Sequence, residues 1–144
     1  MMRGKKQLDY KKEKKYHFID PLLYKLIAAW TQSKPASKEA VVEATVASHV
    51  ERWTLAHGGE VGFYNNGKFE VDVLVKKNGE ITPIEVKLAE KLNSQDWRGL
   101  YKMGKGILLG SGEFGFEKER YLKMPIYAFL ALLDIPPLTR VKYP

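Results

Sequence analysis

Asp72, Glu85 and Lys87 are the residues whose types and spacing suit chemistry. They lie in residues 69–88, FEVDVLVKKNGEITPIEVKL. Val71, Val73 and Val75 alternate with Glu70, Asp72, Leu74 and Lys76, a period of two that predicts a strand. Asn78-Gly79 is a strong hairpin signal, because both central positions of a type I′ turn need φ > 0. A second strand follows from Ile81 to about Leu88. With Asn78 and Gly79 as the loop, Lys77 faces Glu80, Val73 faces Ile84, Asp72 faces Glu85, Val71 faces Val86 and Glu70 faces Lys87. Two carboxylates thus stand opposed on one face, with Cβ atoms about 5 Å apart, where like charges destabilise a sheet. A divalent cation between the oxygens, or a shared proton, makes sense of such a pair. Lys87 is two residues along from Glu85 on that face, within reach of whatever the carboxylates hold. The plainer alternative is a solvated polar strand face in which Glu70 and Lys87 form a surface ion pair.

The surrounding elements must position that hairpin. Residues 16–19 suggest a short strand. Asp20-Pro21 opens a helix to about Trp30, with Asp as N-cap and Pro at N1; Leu22, Leu23, Leu26, Ile27 and Trp30 recur at helical spacing as its core face. Ser37 caps a second helix over 38–57, ended by Gly58-Gly59. Its buried stripe is Val42, Val46, Val50 and Trp53, with Glu43 at the stripe's edge. Residues 60–64 read as a strand turned by Asn65-Asn66-Gly67. Asn93-Ser94 caps a helix over 95–103 with Trp97, Leu100 and Tyr101 inward. Ile107-Leu108-Leu109 is a short apolar strand whose crossover calls for parallel pairing. Residues 111–119 read as a loop without phosphate-loop spacing, residues 121–123 as an edge strand, and Pro125 opens a last helix to about Leu133. Pro136-Pro137 ends order.

The 144 residues fit one domain, 16–144, preceded by a basic arm over 1–15. Seven basic and two acidic residues put +5 of the net +7 on that arm. Lys5, Lys6, Lys11, Lys12, Lys14 and Lys15 suit the phosphates of a nucleic acid; a solvated linker is the other reading. No apolar run approaches a membrane span, and no signal-peptide core is present. There is no cysteine. A cytoplasmic protein is expected, and any metal must take oxygen or histidine ligands, which for carboxylates favours Mg²⁺ or Mn²⁺.

Asp72, a turn, then Glu85-Val86-Lys87 resembles the signature of the PD-(D/E)XK nucleases, metal-dependent phosphodiesterases. From the second helix onward the α-β-β-β-α-β order is that of their restriction-endonuclease-like α/β core, a central mixed sheet flanked by helices. More closely, residues 15–133 resemble the C-terminal nuclease-like domain of archaeal and bacterial AAA-type ATPases. The matching segments are Lys15-Tyr16-His17-Phe18-Ile19-Asp20-Pro21, Glu43-Ala44-Thr45-Val46, Val71-Asp72, Glu85-Val86-Lys87 and Pro125-Ile126-Tyr127. The resemblance implies Mg²⁺ or Mn²⁺ on Asp72 and Glu85, Lys87 orienting water or stabilising charge, and Glu43 acting from the helix as an outer ligand. It implies DNA as substrate, and an ATPase module or a second copy as partner. Two departures stand out. The chain has no Gly-rich Lys-Ser/Thr loop, so it is expected to be a fragment, a truncated product or a stand-alone module. His49 stands where the family often has a second helix glutamate. A DNA-binding or oligomerising module that has lost turnover is the rival reading, and a plain interaction domain the third.

Overall fold

Ser37 and Gly58 bound the longest helix as their chemistry requires. The Ser37 hydroxyl accepts the Ala40 N–H at 3.2 Å, and Gly58 leaves the helix at φ 77°. The computed structural model describes residues 15–89, 92–112 and 114–133. The arm lysines Lys5, Lys6, Lys11, Lys12 and Lys14 lie outside them, as does Pro136-Pro137. The elements are α1 (Leu22–Thr31), α2 (Lys38–His57), β1 (Glu60–Asn65), β2 (Glu70–Lys77), β3 (Glu80–Val86), α3 (Arg98–Met103), β4 (Gly106–Gly110), β5 (Gly115–Glu117), β6 (Tyr121–Pro125) and α4 (Ile126–Leu132). The six strands form one mixed sheet in the order β1-β2-β3-β4-β6-β5. β1, β2 and β3 are antiparallel, β3–β4 and β4–β6 are parallel, and β5 pairs antiparallel with β6. From α2 to β4 this is the α-β-β-β-α-β order expected.

Helices cover both faces of the sheet. Under α2 and α4, Val46, Val50 and Phe129 pack on Val73, Ile84, Val86, Leu109 and Met124. Under α3, Trp97 and Leu100 pack on Val71, Leu74, Leu108 and Tyr121. The hairpin turn has Asn78 at φ 51° and Gly79 at φ 81°, and Val73 pairs with Ile84 and Lys77 with Glu80, as the turn chemistry requires.

Five expectations are corrected. Residues 121–123, expected as an edge strand, lie in β6, an inner strand paired with β4 on one side and β5 on the other. Residues 16–19 form no strand; Tyr16 and Ile19 project outward and pair with no sheet edge. The 111–119 stretch contains β5, which gains its ladder from β6 instead of from a strong β pattern of its own. α3 begins at Arg98, later than expected, because Asn93 and Asp96 fold the preceding residues into turns: Asn93 Oδ1 accepts the Gln95 N–H at 2.8 Å, and Asp96 Oδ2 accepts the Asn93 N–H at 2.7 Å. The largest correction is α1. Asp20 Oδ1 does cap it, accepting the Leu22 N–H at 2.8 Å, but the expected core face is only partly covered, with Leu23 and Ile27 half-buried. Leu22 is 56% exposed, Leu26 53% and Trp30 86%, and Ala28 is the one buried residue of the helix.

Candidate functional site

The site grows from an irregularity in β2. Gly62 pairs with Leu74, and then Tyr64 pairs with Val71. Two steps along β1 thus match three along β2, so β2 carries one extra residue, a bulge, at Asp72-Val73. The bulge moves Val71 to the α3 side while Val73 stays under α2, which corrects the simple alternation read from the valines. It also redirects Asp72. The β2–β3 ladder ends at Val73↔Ile84. Beyond it the Asp72 carboxylate itself takes up the ladder's place, its Oδ2 accepting the Val86 N–H at 2.9 Å. β3 turns its attention to β4 here: Val86 pairs with Leu109, and the Lys87 N–H donates to the Leu109 carbonyl at 2.8 Å. A carboxylate is therefore wedged where two strands part.

Glu85 is the second acid at this point, and it is buried. Its Oε1 is 2.7 Å from the Lys87 ammonium, whereas its Oε2 is fully covered and has no hydrogen-bond partner. Burial, and then the charge of Asp72, push the Glu85 carboxyl up to about 7, with Lys87 and the Asp72 backbone N–H pulling the other way. Burial likewise raises Asp72, opposed by the Val86 N–H. Burial draws Lys87 down, but Glu85 more than offsets it and the ammonium is held above its usual range. The proposed Glu70–Lys87 surface pair does not form: Lys87 turns to Glu85, and Glu70 is held by Lys15.

Lys15, expected to follow phosphates with the arm, lies instead among acids. Its ammonium is 2.9 Å from Glu43 Oε1, pairs with Glu70, and stands 3.9 Å from Asp72 Oδ1. It also lies 5.5 Å from the centre of the Phe63 ring. α2 thus brings Glu43 to the same cluster, from the half-buried edge that its place on the stripe implies. His49 turns back to its own helix: with Nδ1 donating to the Thr45 carbonyl at 2.8 Å, Nε2 accepts from Arg52 at 3.4 Å. Beside the cluster is a cavity of about 380 Å³, lined by Ala47, Arg52, Phe63, Asp72 and Val73 together with Lys15, Tyr16, His17 and Ile19.

Gly99 lets α3 support this corner. A methyl group there would stand 2.5 Å from the Glu70 carbonyl oxygen and 3.1 Å from Val71 Cγ2. The residues sequence reasoning passed over are Glu70, read only as a surface partner, and Gly99. The signal for Glu70 was present, since it shares the parity of Asp72 one step along the strand; Gly99 carries none without the sheet position it touches.

The donor set fits a hard divalent cation. Oxygen atoms of Asp72 and Glu85 are desolvated, one of them lacks any partner, and Mg²⁺ typically takes one or two carboxylates and completes its shell with water and substrate phosphate. Among the described residues no three Asp, Glu or His side chains gather as a ready-made metal cage. Among the described residues, too, no helix is long and apolar enough to cross a membrane.

No curated protein and no solved structure matches the chain. Residues 38–129, well over half of it, match the family described as Domain of unknown function (DUF4143), and that stretch runs from the start of α2 into α4, taking in Glu43, the bulge, Glu85 and Lys87. The chain belongs to the DUF4143 family, whose domains are found in the C-terminal region of AAA-ATPase-like proteins.

Proposed function

We propose that this chain is a metal-dependent phosphodiesterase of the PD-(D/E)XK kind that acts on DNA. One observation carries the reading: Asp72 and Glu85 meet where β2 and β3 part, and a Glu85 oxygen is buried there without a partner. A buried carboxylate oxygen left bare costs on the order of 1–3 kcal/mol or more, a cost that function can explain and packing does not. Asp72 and Glu85 would hold Mg²⁺ or Mn²⁺. When bound, such an ion polarises the scissile phosphate and lowers the pKa of its water. Lys87, tied to Glu85, is in position to orient the attacking water or to stabilise charge growing on the phosphate. Glu43 supplies an outer acceptor from α2. The arm lysines Lys5, Lys6, Lys11, Lys12 and Lys14 give the DNA its sequence-independent attraction.

A second reading, a DNA-binding or oligomerising module without turnover, has one observation in its favour. The described residues contain no group of three acids placed to hold a metal ion, and a lysine already pairs with Glu43 and Glu70. Cleavage of plasmid and of single-stranded DNA with Mg²⁺ and Mn²⁺, wild type beside Asp72→Ala, separates the two. Cutting by the wild type alone is the expected result. Retarded but intact DNA in both lanes would favour the module, and salt-independent indifference to DNA would remove both readings.

A further inference from the structure

α1 is apolar almost all round. Its 10 residues carry one charge, Lys25. One side turns to its own chain, with Ala28 buried and Leu23 and Ile27 half-buried. The other side bares Leu22, Leu26, Ala29 and Trp30. These recur at i, i+4, i+7 and i+8, a stripe about 100° wide of the kind a helix normally turns to a core. Apolar exposure continues beyond the helix. Ile19, just before it, is exposed and lines the cavity together with the exposed Tyr16 and Leu55. The large apolar side chains of this surface together bare on the order of 800 Å², what each partner of a standard protein interface buries. Single exposed leucines are ordinary, whereas apolar exposure on this scale marks an interaction site.

We propose that α1 pairs antiparallel with α1 of a second copy of this chain, about a twofold axis at Leu26. The stripe is self-complementary in that arrangement. Leu26 meets its own copy, and Leu22 meets the partner's Trp30, because both stand four residues from the axis, about 6 Å along the helix. Each such contact is made twice, the large indole always against the smaller leucine. Ala29, beside Trp30, lets the two backbones approach. Lys25 lies at the margin of the stripe and is exposed, so the pairing buries no like charges. With no acid and a single lysine, the helix carries no charge pattern that would select a foreign partner, whereas its symmetry suits its own copy. The pairing is independent of any metal at Asp72 and Glu85. Two helices this short imply a dissociation constant on the order of 10 µM. At about 1 µM the chain is then mainly a monomer, and Trp30 serves association and not the fold.

Sedimentation equilibrium of the full chain, from about 1 µM to about 200 µM, tests this. The proteins are wild type, Leu26→Glu, Leu26→Lys, Trp30→Ser and Phe116→Ser, the last removing an equally bare aromatic from β5. Circular dichroism establishes that each is folded. The wild type is expected to dimerise reversibly. Leu26→Glu and Leu26→Lys should each weaken the dimer at least about ten-fold, since like charges then meet on the axis, and an equimolar mixture of the two should restore it. Trp30→Ser should weaken it on the order of ten-fold, and Phe116→Ser should leave it unchanged. A wild type that stays monomeric at the highest concentration would overturn the proposal. So would a dimer that Leu26→Glu leaves intact, because the interface would then lie elsewhere. Failure of the mixture to recover the dimer would overturn the pairing of Leu26 with its own copy.

Discussion

α1 and α2 look alike as sequence and behave differently as structure. Both open on a capping residue, and both repeat apolar residues at helical spacing. α2 buries Val46 and Val50 completely, and its small residues Ala44, Ala47 and Ser48 let it settle closely on the sheet. α1 carries larger apolar residues, yet Leu22, Leu26 and Trp30 stay open. Periodicity says which face of a helix is apolar; it does not say whether anything covers that face. The matched family region follows the same division, since it begins with α2 and leaves α1 outside. α2 belongs to the unit that builds the site, contributing Glu43 and part of the cavity's lining, whereas α1 follows a segment that Lys15 ties to Glu43 and Glu70.

The comparison can be broken or sharpened by measuring where stability resides. The largest expected effect is at the site. The Glu85 carboxyl is held at about 7 against 4.5 for an ordinary glutamate, so the folded chain binds that proton more tightly than the unfolded chain. Stability from this group is therefore full below about pH 4.5 and is lost as pH rises through about 7, a difference on the order of 3 kcal/mol. Denaturation in chelator at pH 5 and pH 8 should show the loss in wild type, and Glu85→Gln should flatten it. An identical slope in the two proteins would mean Glu85 is not desolvated as described. Next, Val50→Ala in α2 should cost about 2 kcal/mol in urea denaturation, because the methyls it removes are fully buried. Gly99→Ala should cost roughly 1–3 kcal/mol, since the new methyl meets a backbone carbonyl that cannot move without disturbing Glu70 and Val71. The smallest effect is expected for Trp30→Ser, within about 0.5 kcal/mol. A loss at Trp30 matching that at Val50 would contradict the contrast between the helices.

Much of this arrangement is legible before any fold is seen. Asn78-Gly79 dictates a turn, the turn dictates that Val73 meets Ile84, and Ser37 and Gly58 mark the ends of α2 to the residue. The register holds only as far as Val73 and Ile84; the expected facing of Asp72 with Glu85 and of Glu70 with Lys87 lies beyond the end of the ladder. What is not legible depends on partners distant in the chain. The bulge at Asp72-Val73 exists because β1 pairs across it with one residue fewer, and no local pattern in β2 records that. The same holds for Asp72 accepting the Val86 N–H: the β2–β3 ladder must first end, as it does at Val73↔Ile84. Lys15 reads as one more charge in a basic run, and only the approach of Glu43, from 28 residues away, and of Glu70 gives it a destination.

Lys87→Ala tests the central claim most directly, because it separates a catalytic corner from an ion-paired one. Its ammonium is tied to Glu85, and one lysine accounts for only about one counterion of the salt dependence, so DNA affinity measured with Ca²⁺ should change little. The cleavage rate with Mg²⁺ should fall on the order of 10²–10³-fold, the loss typical of one electrostatic contact made in the transition state. Cleavage by Lys87→Ala at the wild-type rate would contradict the assignment of this corner as the site of phosphodiester hydrolysis.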